Sequence, residues 1–246
     1  LSESELYEKA VAAMAGAKDI AVMTGAGVSR ESGIHTFREK GGVWDTADMQ
    51  KMASLPGFLA DPGKVWAWYM HRHEAIAEAE PNPGHCAIAE LEKKAPSFTL
   101  ITQNIDGLHQ QAGSVNVLEL HGSIRRTKCL DEGTVFDSWP KPGDELPPRC
   151  ECGALLRPDV VWFGEALPED VLRDSFVKAR ECDLMIVAGT SAVVQPAGLL
   201  PLEARQSGAV VIEVNPEPTA ITQFVDVSIR ERSGVALPRI VGAAFD

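Results

Sequence analysis

Six short apolar runs, rich in β-branched residues, constrain this chain more than any other feature. They are DIAVMTG at 19–25, FTLITQN at 98–104, VLELHG at 117–122, DLMIVAGT at 183–190, AVVIEVN at 209–215 and DVSIR at 226–230. Runs of this length, nearly continuous in apolar character, read as strands buried on both faces. Helical patterns lie between many of them: SELYEKAVAAMAGA, PGHCAIAELEKKA, PEDVLRDSFVKAREC and PAGLLPLEARQSG. Strand and helix alternation of this kind predicts an α/β fold, a Rossmann-like parallel sheet covered by helices.

The residues just past each strand mark the functional edge. TGAG comes after the first, QNID after the second, HGS after the third, GTS after the fourth and NPE after the fifth. In an open α/β sheet the carboxyl ends of the strands share one edge, and ligands bind there at the crossover crevice. Roughly 70 residues separate Gly27 from Phe98, far more than the dozen or so a crossover needs. A second interval, from Cys129 to Pro158, is rich in Pro, Gly and Asp. The two intervals predict one small inserted lobe, residues 36–95 and 126–157, over a dinucleotide-binding domain of residues 1–35, 96–125 and 158–246. A cleft between the two would be the natural pocket.

Gly25-Ala26-Gly27 opens like a dinucleotide fingerprint, but Arg30 stands where G-x-G-x-x-G needs its third glycine, and the next glycine is Gly33. Glycines at such a turn allow backbone N–H groups to approach a pyrophosphate. The acidic residue a dehydrogenase carries about 20 positions on, at the end of a second strand, is not in place; Asp45 and Asp48 come after no strand. NAD therefore fits the turn while hydride transfer does not.

Composition narrows the partners. A net charge of −12 argues against nucleic acid, whose phosphates need a basic surface. No run of about 18 apolar residues exists to span a membrane. LSESELYEKA lacks the basic start and apolar core of a signal peptide, so a cytoplasmic setting is expected. Five cysteines, an odd number without a secretory signal, suggest reduced thiols or a metal site rather than disulfides. Cys86 and Cys182 sit in helical stretches as ordinary buried thiols, and His71, His73 and His85 are expected at solvent or on helix surfaces.

In order along the chain, TGAGVSRESGIHTFREKGGVW, TQNIDGLHQQAG, LHGS, RPDVVWFGE, AGTSAVVQPA and VNPEPT resemble the sirtuins, NAD-dependent protein-lysine deacylases. The resemblance runs from about Ala21 to Pro238. It implies an enzyme that cleaves nicotinamide from NAD, captures the sugar with the acyl oxygen of a modified lysine, and releases lysine and O-acyl-ADP-ribose. Gly25, Ala26, Gly27 and Ser29 would then hold the pyrophosphate side, with Thr36 and Arg38 near the phosphates or the nicotinamide ribose. Gln103, Asn104, Ile105 and Asp106 would position the ribose and leaving nicotinamide, between walls from Ile34 and Phe37. Gly189, Thr190, Ser191, Asn215, Glu217 and Ser233 would line the adenosine half.

His121 is the implied general base, since an imidazole titrates near neutral pH and can take a proton from a ribose hydroxyl; Asn104 is the second catalytic candidate. His109 matches a family position but reads as a packing or capping residue. Val160, Val161, Trp162, Phe163, Gly164 and Glu165 resemble the segment that pairs with substrate peptide as an added strand.

Tyr69 and Arg72, three apart, fall on one helical face. They resemble the Y-x-x-R pair of the sirtuins that remove succinyl, malonyl or glutaryl groups, and Ala53 matches a small residue of that subgroup. A guanidinium grips a terminal carboxylate with two N–H donors while a phenol adds a third. Acetyl would be removed more weakly.

The pattern breaks in the zinc motif. Sirtuins usually carry two C-x-x-C pairs; here Glu132 replaces the second cysteine of CLDE, and CEC places Cys150 and Cys152 one residue too close. Cys129, Cys150, Cys152 and Glu132 would supply four donors, but two intact pairs are the strong signal, so a lost or weakened site is expected. His35 and Glu39 also stand where proline and glycine are common in the cofactor loop. Two other readings stay open: an NAD hydrolase or ADP-ribosyl transferase on the same scaffold, and a non-catalytic NAD-binding module.

Overall fold

A computed structural model describes residues 1–34, 51–141 and 144–245. Six strands, β1 (Asp19–Thr24), β2 (Ser97–Thr102), β3 (Val117–Glu119), β7 (Leu184–Ala188), β8 (Val210–Val214) and β9 (Val227–Ile229), occupy the six apolar runs. They form one parallel sheet in the order β3-β2-β1-β7-β8-β9. The chain winds outward from β1 in one direction and from β7 in the other, so the crossovers diverge between these neighbours. That is the switch point where a doubly wound sheet opens a crevice.

Helices cover both faces, as strands buried on two sides require. Glu3–Gly16, Pro83–Lys94 and Ser233–Phe245 pack Met14, Ile88, Leu91, Leu237 and Ile240 against Val22, Leu100 and Ile186. The helices Glu169–Glu181 and Leu200–Gln206 cover Ala21, Met23, Met185 and Val187 with Ala179, Leu200 and Ala204. The first helix starts at a capping box in which Ser2 and Glu5 satisfy each other's backbone N–H groups. The last helix is not evident from sequence because Pro238 lies inside it and reads locally as a breaker.

A smaller antiparallel sheet joins β4 (Gly122–Cys129), β5 (Val135–Phe136) and β6 (Leu156–Val160), in the order β5-β4-β6. Beside it the helix Pro62–Ala77 buries Val65, Trp66 and Tyr69 with Phe58, Ile124 and Trp162. Three predicted boundaries differ from the packing. Residues 83–94, placed with the inserted lobe, pack into the core of the large sheet, because Ala87, Ile88 and Leu91 repeat on one helical face. The boundaries at 126 and 158 cut through β4 and β6, whose pairing begins at Gly122 opposite Val160. Among the described residues no helix is long and apolar enough to cross a membrane.

Candidate active site

The switch point is assembled by close backbone approach. Gly27 N–H donates to the Gly189 carbonyl at 2.8 Å, and Gly25 N–H to the Ala188 carbonyl at 3.2 Å. A Cβ on Gly27 would lie 2.7 Å from that same Gly189 oxygen, well inside van der Waals contact. Glycine is needed at 27 to let β1's turn meet β7's turn, a reason the fingerprint does not disclose. Gln103 continues the junction by donating its amide to the Thr190 hydroxyl at 2.9 Å.

Behind the junction lies a buried polar network. Ser29 Oγ donates to Asp106 Oδ2 at 2.8 Å and accepts from Asn104 Nδ2 at 3.1 Å. Asp106 Oδ1 accepts from the Leu108 backbone N–H at 2.9 Å. Three side chains predicted to face the cofactor therefore hold one another in place. His85, expected at a surface, is fully buried, its Nε2 lying 3.3 Å from Ser29 Oγ. His109 is buried 4.8 Å from it, ring to ring, with Nε2 2.9 Å from Thr24 Oγ1. Burial lowers the two imidazoles to pKa values of about 4 and about 3, so both stay neutral. Asn82 caps the helix Pro83–Lys94 in a box completed by His85 Nδ1, but the burial of His85 comes from packing against Ser29 and His109, which no local pattern reports. Cys86 is the converse correction, an exposed thiol.

His121 stands between β3 and β4, half-buried at the same edge. Its Nδ1 lies 2.9 Å from the Gln103 carbonyl. A carbonyl only accepts, so Nδ1 carries the proton and Nε2 keeps its lone pair. Burial holds the pKa below the ordinary histidine value, partly opposed by that hydrogen bond. The His121 carbonyl accepts from Val161 N–H at 3.0 Å, tying the imidazole to the predicted peptide-pairing segment. The next residue, Gly122, has φ 73°, and a Cβ there would lie 2.1 Å from the Asp159 carbonyl; only glycine permits this turn.

Residues 25–196 match the sequence model of the Sir2 family. The chain belongs to the Sir2 family. It is similar to the NAD-dependent protein deacylase 2 of Pyrobaculum aerophilum, at 50% identity over 229 residues, 93% of this chain and 92% of that one. Among solved structures it is similar to a Sir2 homologue in complex with NAD, with a TM-score of 0.89 and 46% identity across 96% of this chain and 93% of that one. It is also similar to a Sir2 protein bound to a myristoylated histone peptide, with a TM-score of 0.76 and 36% identity across 98% and 97%.

The remaining site residues of this Sir2 protein fall into three groups. Asn215 and Glu217 are linked through Asn215 Nδ2 and the Glu217 carbonyl at 2.7 Å. Ser233 opens the last helix, whose Gly234 N–H is held by Glu31 at 2.9 Å. Thr36, Phe37 and Arg38, with His35 and Glu39, lie outside the described residues. The substrate-side set converges: Ile34, Ala53, Tyr69, Val160 and Trp162 share one apolar cluster, and Phe163 N–H donates to the Ala53 carbonyl at 2.9 Å. Arg72 sits one turn beyond Tyr69, its guanidinium 5.3 Å from the Trp68 ring centre.

The altered zinc motif keeps its donors together. Ligand atoms of Cys129, Glu132, Cys150 and Cys152 all lie within 4.8 Å of one another, and Cys129 Sγ is 3.6 Å from Cys152 Sγ. Metal–thiolate bonds of about 2.3 Å in a tetrahedron separate the ligands by roughly 3.8 Å, so the sulfurs suit a zinc-sized ion. The turn Cys150 to Gly153, closed by the Gly153 N–H on the Cys150 carbonyl at 2.9 Å, brings Cys152 back despite the missing spacer.

Proposed function

We propose that this Sir2 protein, an NAD-dependent protein deacylase, acts preferentially on lysines bearing acidic acyl groups such as succinyl, malonyl or glutaryl. The observation that carries the proposal is the buried Tyr69, with Arg72 three residues later, in the apolar cluster that also holds Trp162 of the peptide-pairing segment. Burial lowers the Arg72 pKa to about 10. A cation stripped of part of its hydration gains strongly from a carboxylate brought against it. Acetyl offers no such group.

NAD, when bound, supplies the ribose carbon that accepts the acyl oxygen once nicotinamide leaves. Asn104, which keeps one amide proton after bonding Ser29, and the Asp106 carboxylate, fixed by Ser29 and the Leu108 N–H, would face that sugar already oriented. His121 would take the ribose hydroxyl proton at Nε2. The peptide would add as a strand along residues 160–165.

The test is a panel of one peptide sequence carrying succinyl-, malonyl-, glutaryl-, acetyl-, myristoyl- or unmodified lysine, mixed with protein and NAD and read by mass spectrometry. O-succinyl-ADP-ribose formed faster than O-acetyl-ADP-ribose is the expected result. Preference for the myristoyl peptide would remove Arg72 as the acyl reader. Free ADP-ribose formed regardless of peptide would favour an NAD hydrolase, and unchanged NAD a binding module.

Cys129, Cys150, Cys152 and Glu132 would hold zinc as a three-sulfur, one-oxygen structural site, joining the β4–β5 turn to the turn before β6. Elemental analysis should find one zinc per chain, and Glu132→Ala should release it to a chelator at least about 10-fold faster, a loss in the range that weakened metal shells show. Protein that purifies without metal and takes up none would refute this site.

A further inference from the structure

Tyr69 and Trp162 share a hydrogen bond whose direction chemistry dictates. An indole N–H donates and cannot accept, and Trp162 Nε1 lies 2.8 Å from the Tyr69 hydroxyl oxygen. The phenol is therefore the acceptor, and its own proton points away from the indole. Tyr69 and Trp162 are only 1% and 2% exposed, so bulk water does not compete for either group. The phenol also keeps its proton, since burial pushes its pKa up to about 12.

The indole is itself held. The Arg157 guanidinium lies 3.3 Å from its ring centre, close enough for a strong cation–π contact, and the Phe58 ring centre is 5.1 Å away. Glu165 binds Arg157 and also accepts the Trp162 backbone N–H, at 2.9 and 2.8 Å. One residue earlier, Val161 is bonded to the His121 carbonyl. The segment beside the general base and the side chain that sets the phenol thus form one braced unit.

We infer that Trp162 is a specificity-positioning residue: by occupying the acceptor side of the Tyr69 hydroxyl, its N–H leaves that hydroxyl as a donor aimed at the terminal carboxylate of an acidic acyl group. The inference rests on the acidic-acyl reading proposed above. Without the indole N–H the phenol is free to rotate or to turn its lone pairs toward the incoming carboxylate, which repels it. Acetyl-lysine, with no carboxylate, gives the hydroxyl nothing to read.

Trp162→Phe keeps an aromatic face for Arg157 and Phe58 while removing the donor. With saturating NAD, its ratio of succinyl to acetyl kcat/KM should fall about 10-fold, through a raised KM for the succinyl peptide. In Tyr69→Phe/Trp162→Phe the ratio should fall no further than in Tyr69→Phe alone, because the two groups act as one. An unchanged ratio in Trp162→Phe, or independent losses that multiply in the double variant, would overturn the inference. Nuclear magnetic resonance reads the contact without turnover: the indole N–H signal missing in Trp162→Phe should shift upfield in Tyr69→Phe, and no shift refutes the bond. If the unaltered protein turns over succinyl and acetyl peptides equally while that signal responds, the bond stands but the acyl reading fails, and the hydroxyl loses its assigned ligand.

Discussion

Replacing His121 by alanine should leave NAD bound, by calorimetry, while acyl transfer falls by about 10²–10⁴-fold, the range that general acid–base groups contribute. The expectation comes from the ring's two ends. Nδ1 is committed to the Gln103 carbonyl, which fixes the tautomer and leaves Nε2 basic. His121 meets the junction through the Gln103 carbonyl, and Gln103 is held independently by its N–H on the Thr24 carbonyl and its amide on Thr190, so loss of the imidazole should not loosen the dinucleotide side. The pH dependence has a definite sign. A general base works unprotonated, and burial lowers the His121 pKa below the ordinary 6.5. The rate should therefore fall to half its plateau at a pH below 6.5. Normal turnover by the alanine variant would refute the assignment, and an acid limb centred above 6.5 would contradict the burial that lowers the pKa.

The second large effect concerns the acyl group. Arg72→Met should cut desuccinylation by about 100-fold, equivalent to ~2.7 kcal/mol, and deacetylation far less. A hydrogen bond to a charged group contributes about 1.5–3 kcal/mol, and a guanidinium gives a carboxylate two. Methionine retains much of the side chain's length and apolar stem, so packing against Trp68 is largely kept. The comparison to make is kcat/KM on succinyl and acetyl peptides of identical sequence. Equal losses on both would mean that Arg72 supports the lobe rather than reading the carboxylate.

Much of the scaffold is legible because strand and turn signals are local. Apolar runs such as LMIVA at 184–188 carry burial on both faces in a handful of consecutive residues, and glycine or polar clusters mark where each run stops. Family motifs then place His121 at the strand edge. Ser233–Phe245 escapes because one proline outweighs its apolar face in a local reading. His85 escapes because its burial is made by Ser29 and His109, which lie 56 and 24 residues away along the chain.

The rest belongs to tertiary structure alone. The alternation of strands and helices determined a parallel α/β sheet and the edge where chemistry would gather, but not that β1 would lie between β2 and β7. Only that order puts Gly27 against Gly189 and makes a Cβ intolerable. The same holds for Trp162 and Tyr69, 93 residues apart, and for Thr24 and Thr102, 78 apart. Side-chain periodicity reports which face of an element is buried, within a few turns of chain. Which donor meets which acceptor depends on how distant elements pack, and that decided the tautomer of His121, the bond from the Trp162 indole to the Tyr69 hydroxyl and the convergence of Cys129, Glu132, Cys150 and Cys152.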